Sequence, residues 1–203
     1  MRNVKLCLLA LLVMPLLAWT QTVDDLDYIS PFHDGVAAVQ KNGQWAFIDQ
    51  NGDIVIDFRT DVVMTNTEYG KYPIFSDKRC LIMNKKNGIS YYGYIDQSGD
   101  TVIKPEFLNA TNYEGGQAIV LEVLKETTGQ SEMLGKSVVY YKYFEVIIDS
   151  NGENKNYLNP DGVNVVLDKD FLREPPKITS KRITPQLVAI KGENGKWTVK
   201  KVN

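Results

Sequence analysis

Three aspartates recur in one setting: Ile48-Asp49-Gln50-Asn51-Gly52, Ile95-Asp96-Gln97-Ser98-Gly99 and Ile148-Asp149-Ser150-Asn151-Gly152. Repeated carboxylates are the residue type that binds cations or moves protons in glycoside hydrolysis, so they are weighed first. Hydrolysis needs two carboxyls facing one another in a cleft, one of them with a raised pKa, and no sequence feature supplies either. Each aspartate here ends an apolar run and precedes a glycine turn, where its common task is to accept backbone N–H groups. Asp49-Gln50-Asn51-Gly52-Asp53 also lacks the sixth-position glycine and the bidentate glutamate of a calcium loop. His33 is the only histidine, so a multi-histidine metal site is excluded and any Ser-His or Cys-His pair rests on one residue beside a turn. Cys80, followed by Leu81 and Ile82, reads as a small buried hydrophobe. No catalytic residue, metal ligand or cofactor is assigned, and the expectation is a non-enzyme.

The aspartate motif carries more information as punctuation. Its glycines, Gly52, Gly99 and Gly152, stand 47 and 53 residues apart, in the range of repeat architectures. Around the first, Val36-Ala37-Ala38-Val39, the Asn42-Gly43 turn, Gln44 to Asp49, the Asn51-Gly52 turn and Ile54-Val55-Ile56 form a predicted three-stranded meander. The second copy runs Cys80 to Met83, Asn87-Gly88, Tyr91 to Asp96, Ser98-Gly99 and Thr101 to Ile103. The third opens at Gln117 to Val123 and reaches Ile148-Asp149 only after a polar insertion, 125–137. The fourth, Leu187 to Ile190, Asn194-Gly195 and Lys196 to Val199, is truncated. The fold class is therefore all-β, tandem three-stranded β-meander repeats in an elongated array, with a blade-like arrangement as the alternative. Three copies occupy 21–160, a connector 161–182 and a truncated repeat 183–203.

Residues 1–20 read as a signal peptide. Arg2 and Lys5 precede the apolar run Leu6 to Leu17, and Ala18-Trp19-Thr20 offers small residues at the cleavage site. The run is short of the ~20 residues a membrane span needs, so no span is expected after cleavage. The protein is expected to be exported, to the periplasm or outside the cell. Removal changes 23 bases against 25 acids to 21 against 25, a net charge of −4, which argues against nucleic acid. Cys80 is then the only thiol, so no internal disulfide forms and stability must come from packing.

Gly35-Val36-Ala37-Ala38-Val39, then Asn42-Gly43-Gln44-Trp45-Ala46-Phe47-Ile48-Asp49, a glycine turn and Ile54-Val55-Ile56 resemble the WG repeat, also called the KWG repeat of bacterial proteins. The resemblance covers residues 29–110 well, 111–160 loosely and 183–203 in part. The Trp-Gly pair is Trp45-Ala46 in the first copy, Tyr92-Gly93 in the second, Tyr143-Phe144 or a neighbour in the third and Trp197-Thr198 in the fourth. The resemblance implies a β-rich fold with a binding or scaffolding role, and it carries over no catalytic residue.

The candidate ligand-binding residues are the aromatics. Trp45, Tyr92 and Trp197 take matching places, either as core or as stacking platforms, and alternation makes the Trp45 strand apolar on both faces, which favours core. Tyr140, Tyr141 and Tyr143 lie on a strand beside the insertion and would suit a peptide or glycan. The expected function is a non-catalytic module that binds a protein or glycan partner of the cell envelope. The alternatives are an envelope glycan hydrolase and an architectural repeat that associates with itself through an edge strand.

Overall fold

The computed structural model describes residues 23–130, 137–192 and 194–202. The predicted signal peptide lies outside the described residues. Among those described, every regular element is a strand, in antiparallel meanders.

The first sheet has the order β1-β2-β3-β4, with β1 Tyr28–His33, β2 Val36–Lys41, β3 Gln44–Ile48 and β4 Ile54–Arg59. Asn42 and Gly43 turn β2 into β3 with φ of 52° and 76°, the double positive φ of a tight hairpin turn. The strand β1 is an addition to the predicted three-stranded unit. Pro31 hides it in the sequence, since proline cannot donate to a ladder; here it sits on an edge strand, inside a register shift between Ile29 and Phe32. Ser30 Oγ accepts the Ala38 N–H at 2.8 Å across that irregularity.

A two-stranded ribbon, β5 (Thr65–Thr67) and β6 (Gly70–Tyr72), precedes the second sheet. That sheet comprises β7 (Phe75–Ser76), β8 (Arg79–Lys86), β9 (Ile89–Ile95) and β10 (Thr101–Phe107), again a four-stranded meander. The third sheet joins β11 (Gln117–Gln130), β12 (Ser137–Asp149) and β13 (Asn154–Tyr157), and β14 (Val163–Val165) pairs with β12 as well. The fourth contains β15 (Lys181–Thr184), β16 (Leu187–Lys191) and β17 (Trp197–Lys201).

Two expectations change here. The polar insertion 125–137 is not a loop over its described part: Lys125 pairs with Tyr141, Glu126 with Tyr140 and Thr127 with Val139, so the β11–β12 hairpin simply extends. The connector 161–182 contains β14 and the start of β15, and its Leu167, Leu172 and Ile178 pack with Leu121, Val123 and Tyr143 on the third sheet.

Consecutive sheets stack face on face, and period-two alternation decides which residue goes to which neighbour. Ala38, Trp45, Phe47 and Ile56 of the first sheet pack on Cys80, Ile82 and Ile95 of the second, with Phe47 edge-on to Phe75 at 4.9 Å. The opposite face of the second sheet sends Leu81, Tyr94 and Ile103 against Ala118, Val120, Val146 and Ile148 of the third. Ile119 and Ile147, on the far side of the third, meet Val188 and Val202 of the fourth. Each sheet thus has a receiving face toward the preceding unit and a forward face toward the next.

Polar bonds repeat at these junctions. The Lys78 N–H donates to Asp34 Oδ2 at 2.8 Å, and the Gly116 N–H donates to Asp77 Oδ2 at 2.7 Å, so the first hairpin of one unit holds that of the next. A further constraint explains the glycine of the Trp-Gly pair. The step from Tyr92 to Tyr94 on β9 faces the longer step from Ile103 to Phe107 on β10, and the bulged backbone presses onto Gly93. A Cβ on Gly93 would lie 2.4 Å from the Ile103 carbonyl oxygen and 2.6 Å from Pro105 N. In the first sheet the corresponding bulge, Ile56 to Arg59 opposite Trp45 to Phe47, is one residue shorter, and Ala46 fits.

Gly93→Ala is expected to destabilise the protein by about 2–3 kcal/mol through overpacking against backbone. Ala46→Gly should cost only about 1 kcal/mol. Chemical denaturation of the two variants checks the asymmetry; equal losses would contradict it.

Candidate functional site

The three aspartates first drawn out for chemistry build turns. Asp49 Oδ1 accepts the N–H groups of Asn51 and Asp53 at 2.9 and 3.0 Å, and the Gly52 N–H donates to the Asp49 carbonyl. Asp96 Oδ1 holds Ser98 and Asp100 in the same way, and Asp149 Oδ1 holds Asn151 and Glu153. These bonds favour the ionised form, so all three carboxyls titrate below the ordinary aspartate range. The main causes are the Asp53 N–H for Asp49, the Ser98 hydroxyl for Asp96 and the Lys155 ammonium for Asp149. A catalytic acid would be shifted the other way. His33 Nε2 lies 3.2 Å from the Tyr72 hydroxyl, beside the inner core. Cys80 is fully buried, and desolvation pushes its thiol far up from the usual range. Among the described residues no group of three or more His, Cys, Asp or Glu is placed to hold a metal ion.

Ladder register relates the candidate aromatics. Trp45 pairs with Gln40, Tyr92 with Met83 and Trp197 with Lys191, at equivalent places on the forward faces of their sheets. Trp45 is buried, 6% exposed, and stands edge-on to Tyr28 at 5.8 Å. Tyr92 is half-buried against the second junction. Trp197 is 47% exposed, with Lys181 Nζ and Lys191 Nζ 5.4 and 5.7 Å from its ring centroid. Tyr140 lies on the extended hairpin with its hydroxyl on Glu126 Oε2, Tyr141 pairs with Val165, and Tyr143 packs in the core under the connector. The structure therefore scatters these six residues over three environments and does not bring them into one site.

The same register locates the place in the third copy. Of Tyr143-Phe144 or a neighbour, the residue at the aromatic place, paired with Leu121, is the neighbour Glu145. Glu145 is 4% exposed and is the only charged residue buried among those described. Its Oε1 accepts the Thr179 N–H and hydroxyl, both at 2.7 Å, and its Oε2 accepts the Ser180 N–H at 3.0 Å. A carboxylate is thereby satisfied by the incoming connector where the other units place an aromatic ring. The sequence signal for it is a charge within Tyr143-Phe144-Glu145-Val146-Ile147-Ile148, an otherwise apolar strand.

Replacing a ring by a short carboxylate opens the third junction. A cavity of about 460 Å³ lies there, lined among others by Tyr143, Leu158, Asn159, Asp161, Lys177 and Lys191. Leu158 and Ile190 give it an apolar floor, while Asp161, Lys177 and Lys191 are exposed at its rim. Pro160, Asp161 and Gly162 belong to the stretch by which the chain bulges out between β13 and β14. Gly162 is packed so closely on the Phe144 ring that a Cβ would lie 2.6 Å from it. Apolar floor, aromatic wall and a few polar groups at the rim are the features of a small-ligand or peptide-segment groove.

Glu145→Gln should lower stability by about 2–3 kcal/mol, because one acceptor becomes a donor facing a backbone N–H, and amide exchange should quicken at Thr179 and Ser180. For the turn aspartates the folded carboxyl titrates below its unfolded value. Their contribution is accordingly complete above about pH 4 and is lost as the pH falls through the depressed values. Melting temperature followed from pH 6 to about pH 2 should fall less steeply for Asp96→Asn than for the wild type.

The sequence model of the WG containing repeat family matches residues 25–45 and 92–122. The first segment spans β1, β2 and the start of β3; the second runs from Tyr92 through β10 into β11. No curated protein matches the chain, and no solved structure does. Two segments of the chain thus match the WG containing repeat, one on the first meander and one running from the second meander into the third, and they include Trp45, Tyr92 and the Asp96 turn.

Proposed function

We propose that this repeat module is exported and, without catalysing a reaction, binds a protein or glycan partner of the cell envelope. The groove at the third junction is the place of contact. The observation that carries this reading is the cavity of about 460 Å³ at the one junction where Glu145 stands in place of the forward aromatic. Junctions filled by Trp45 and Tyr92 are closed cores, whereas this one presents an aromatic wall and exposed groups of both charges. Such a lining suits a glycan chain, which stacks on aromatic rings and takes hydrogen bonds at its edges, or a short polar peptide. Export rests on the sequence of Arg2 to Thr20, and the envelope as the place of action follows from it.

Asp161→Asn combined with Lys177→Glu changes two exposed rim residues. Capture of envelope glycans on an array, or of partners from envelope extract, should be saturable and release no product. In the double variant it should weaken about tenfold, a loss of ~1.4 kcal/mol, with the melting temperature unchanged. Undiminished capture by the folded variant would move the site elsewhere, and turnover of a captured glycan would replace binding by hydrolysis.

A further inference from the structure

We infer that a second cavity, apart from the groove, binds a single acidic sugar unit, whose carboxylate meets Arg182 and whose hydroxyls meet Ser180, Asn112 and Gln117. The cavity has a volume of about 270 Å³ and lies where residues 111–119, which lead into β11, face residues 180–182 at the start of β15. That is room for about nine waters at ~30 Å³ each, or for one monosaccharide in their place.

The direction of the side chains decides which groups face it. Lys181 sends its ammonium outward, 5.4 Å from the Trp197 ring centroid, so its neighbours Ser180 and Arg182 turn to the third sheet. There Arg182 Nη2 donates to Gln117 Oε1 at 2.8 Å, and Arg182 Nη1 donates to the Pro185 carbonyl at 3.0 Å. These bonds leave other N–H groups of the half-buried guanidinium available. Among the described residues no carboxylate stands within ion-pair distance of it. A guanidinium held by neutral acceptors alone is a seat for an anion, and its planar fork suits a carboxylate.

Ser180 is the second observation. It is 5% exposed, and its Oγ has no hydrogen-bond partner among the described residues, although its N–H is held by Glu145 Oε2. A buried hydroxyl without a partner is destabilising, and a ligand hydroxyl in the cavity would satisfy it. The amides beside it are already oriented. Asn112 Nδ2 donates to Thr65 Oγ1 at 2.8 Å, which leaves Oδ1 as an acceptor, and Gln117 Oε1 takes Arg182, which leaves Nε2 as a donor. Neutral donors and acceptors of this kind read hydroxyls. An amino acid would need a carboxylate facing its ammonium, and Glu114, the one acid among the described lining residues, is exposed.

The experiment titrates the full chain with glucuronate, glucose, acetate and glutamate, followed by calorimetry and amide chemical shifts. Glucuronate should bind saturably and shift the amides of Gln117, Ser180 and Arg182. Glucose lacks the carboxylate and acetate lacks the hydroxyls, so each should bind about tenfold more weakly or less. Ser180→Ala removes an atom that has no partner in the fold; the melting temperature should hold while glucuronate affinity falls about tenfold. Arg182→Gln should abolish the preference for glucuronate over glucose. The variant Asp161→Asn with Lys177→Glu, which alters the groove, should leave glucuronate binding intact, so the two sites fail separately. An oligosaccharide ending in glucuronate that binds as tightly as the free acid makes a glycan the source, whereas binding of the free acid alone makes it a free sugar acid; either upholds the site. The proposal is overturned if glucuronate does not bind or shifts amides elsewhere, or if acetate or glutamate binds as tightly. It is equally overturned if Ser180→Ala melts lower than the wild type or binds glucuronate undiminished.

Discussion

Every inner sheet of this protein is apolar on both faces, and the rest of the architecture follows from that constraint. A strand places alternate side chains on opposite sides, so Cys80 and Ile82 look back to the first sheet while Leu81 between them looks on to the third. A sheet of this kind cannot leave either face in water without losing the hydrophobic stabilisation of a core. Antiparallel sheets often meet the requirement on one side only. Here each neighbour is another meander, so the units are related by nearest-neighbour contacts, as in other repeat proteins.

Within that scheme a single ladder position takes four identities. Trp45 and Tyr92 fill junctions, Trp197 lies open between two lysines, and Glu145 holds the connector by three hydrogen bonds. The ladder register at the position is kept, and the chemistry of the junction changes completely. A repeat fold can acquire a groove in this way without altering its turns: a ring gives way to a carboxylate that holds the incoming connector, beside a packed face that Ile119 and Ile147 still share with Val188 and Val202.

What the sequence disclosed follows from locality. Asn42-Gly43, the aspartate turns and the two-sided apolar strand around Trp45 are written in neighbouring residues, so the meander and the burial of Trp45 could be read directly. The strand Tyr28–His33 was hidden because Pro31 and Ser30 are poor strand residues unless an edge and a bulge receive them. Residues 125–127 are too polar to announce a ladder, since both faces of the extended hairpin are partly open to water. The groove was beyond sequence reasoning altogether. Tyr143, Asp161, Lys177 and Lys191 come from four separate stretches, which meet where Glu145 holds the connector at Thr179 and Ser180.

The carboxylates of Asp34 and Asp77 have one further implication. Each belongs to an earlier hairpin and accepts an N–H from a later one, so the acceptor is always made before its donor. In a chain synthesised from its N-terminus, the hairpins of the second and third units each emerge with a docking carboxylate already made. With every acceptor on the earlier unit and every donor on the later one, these two junctions give the molecule a grain along its length.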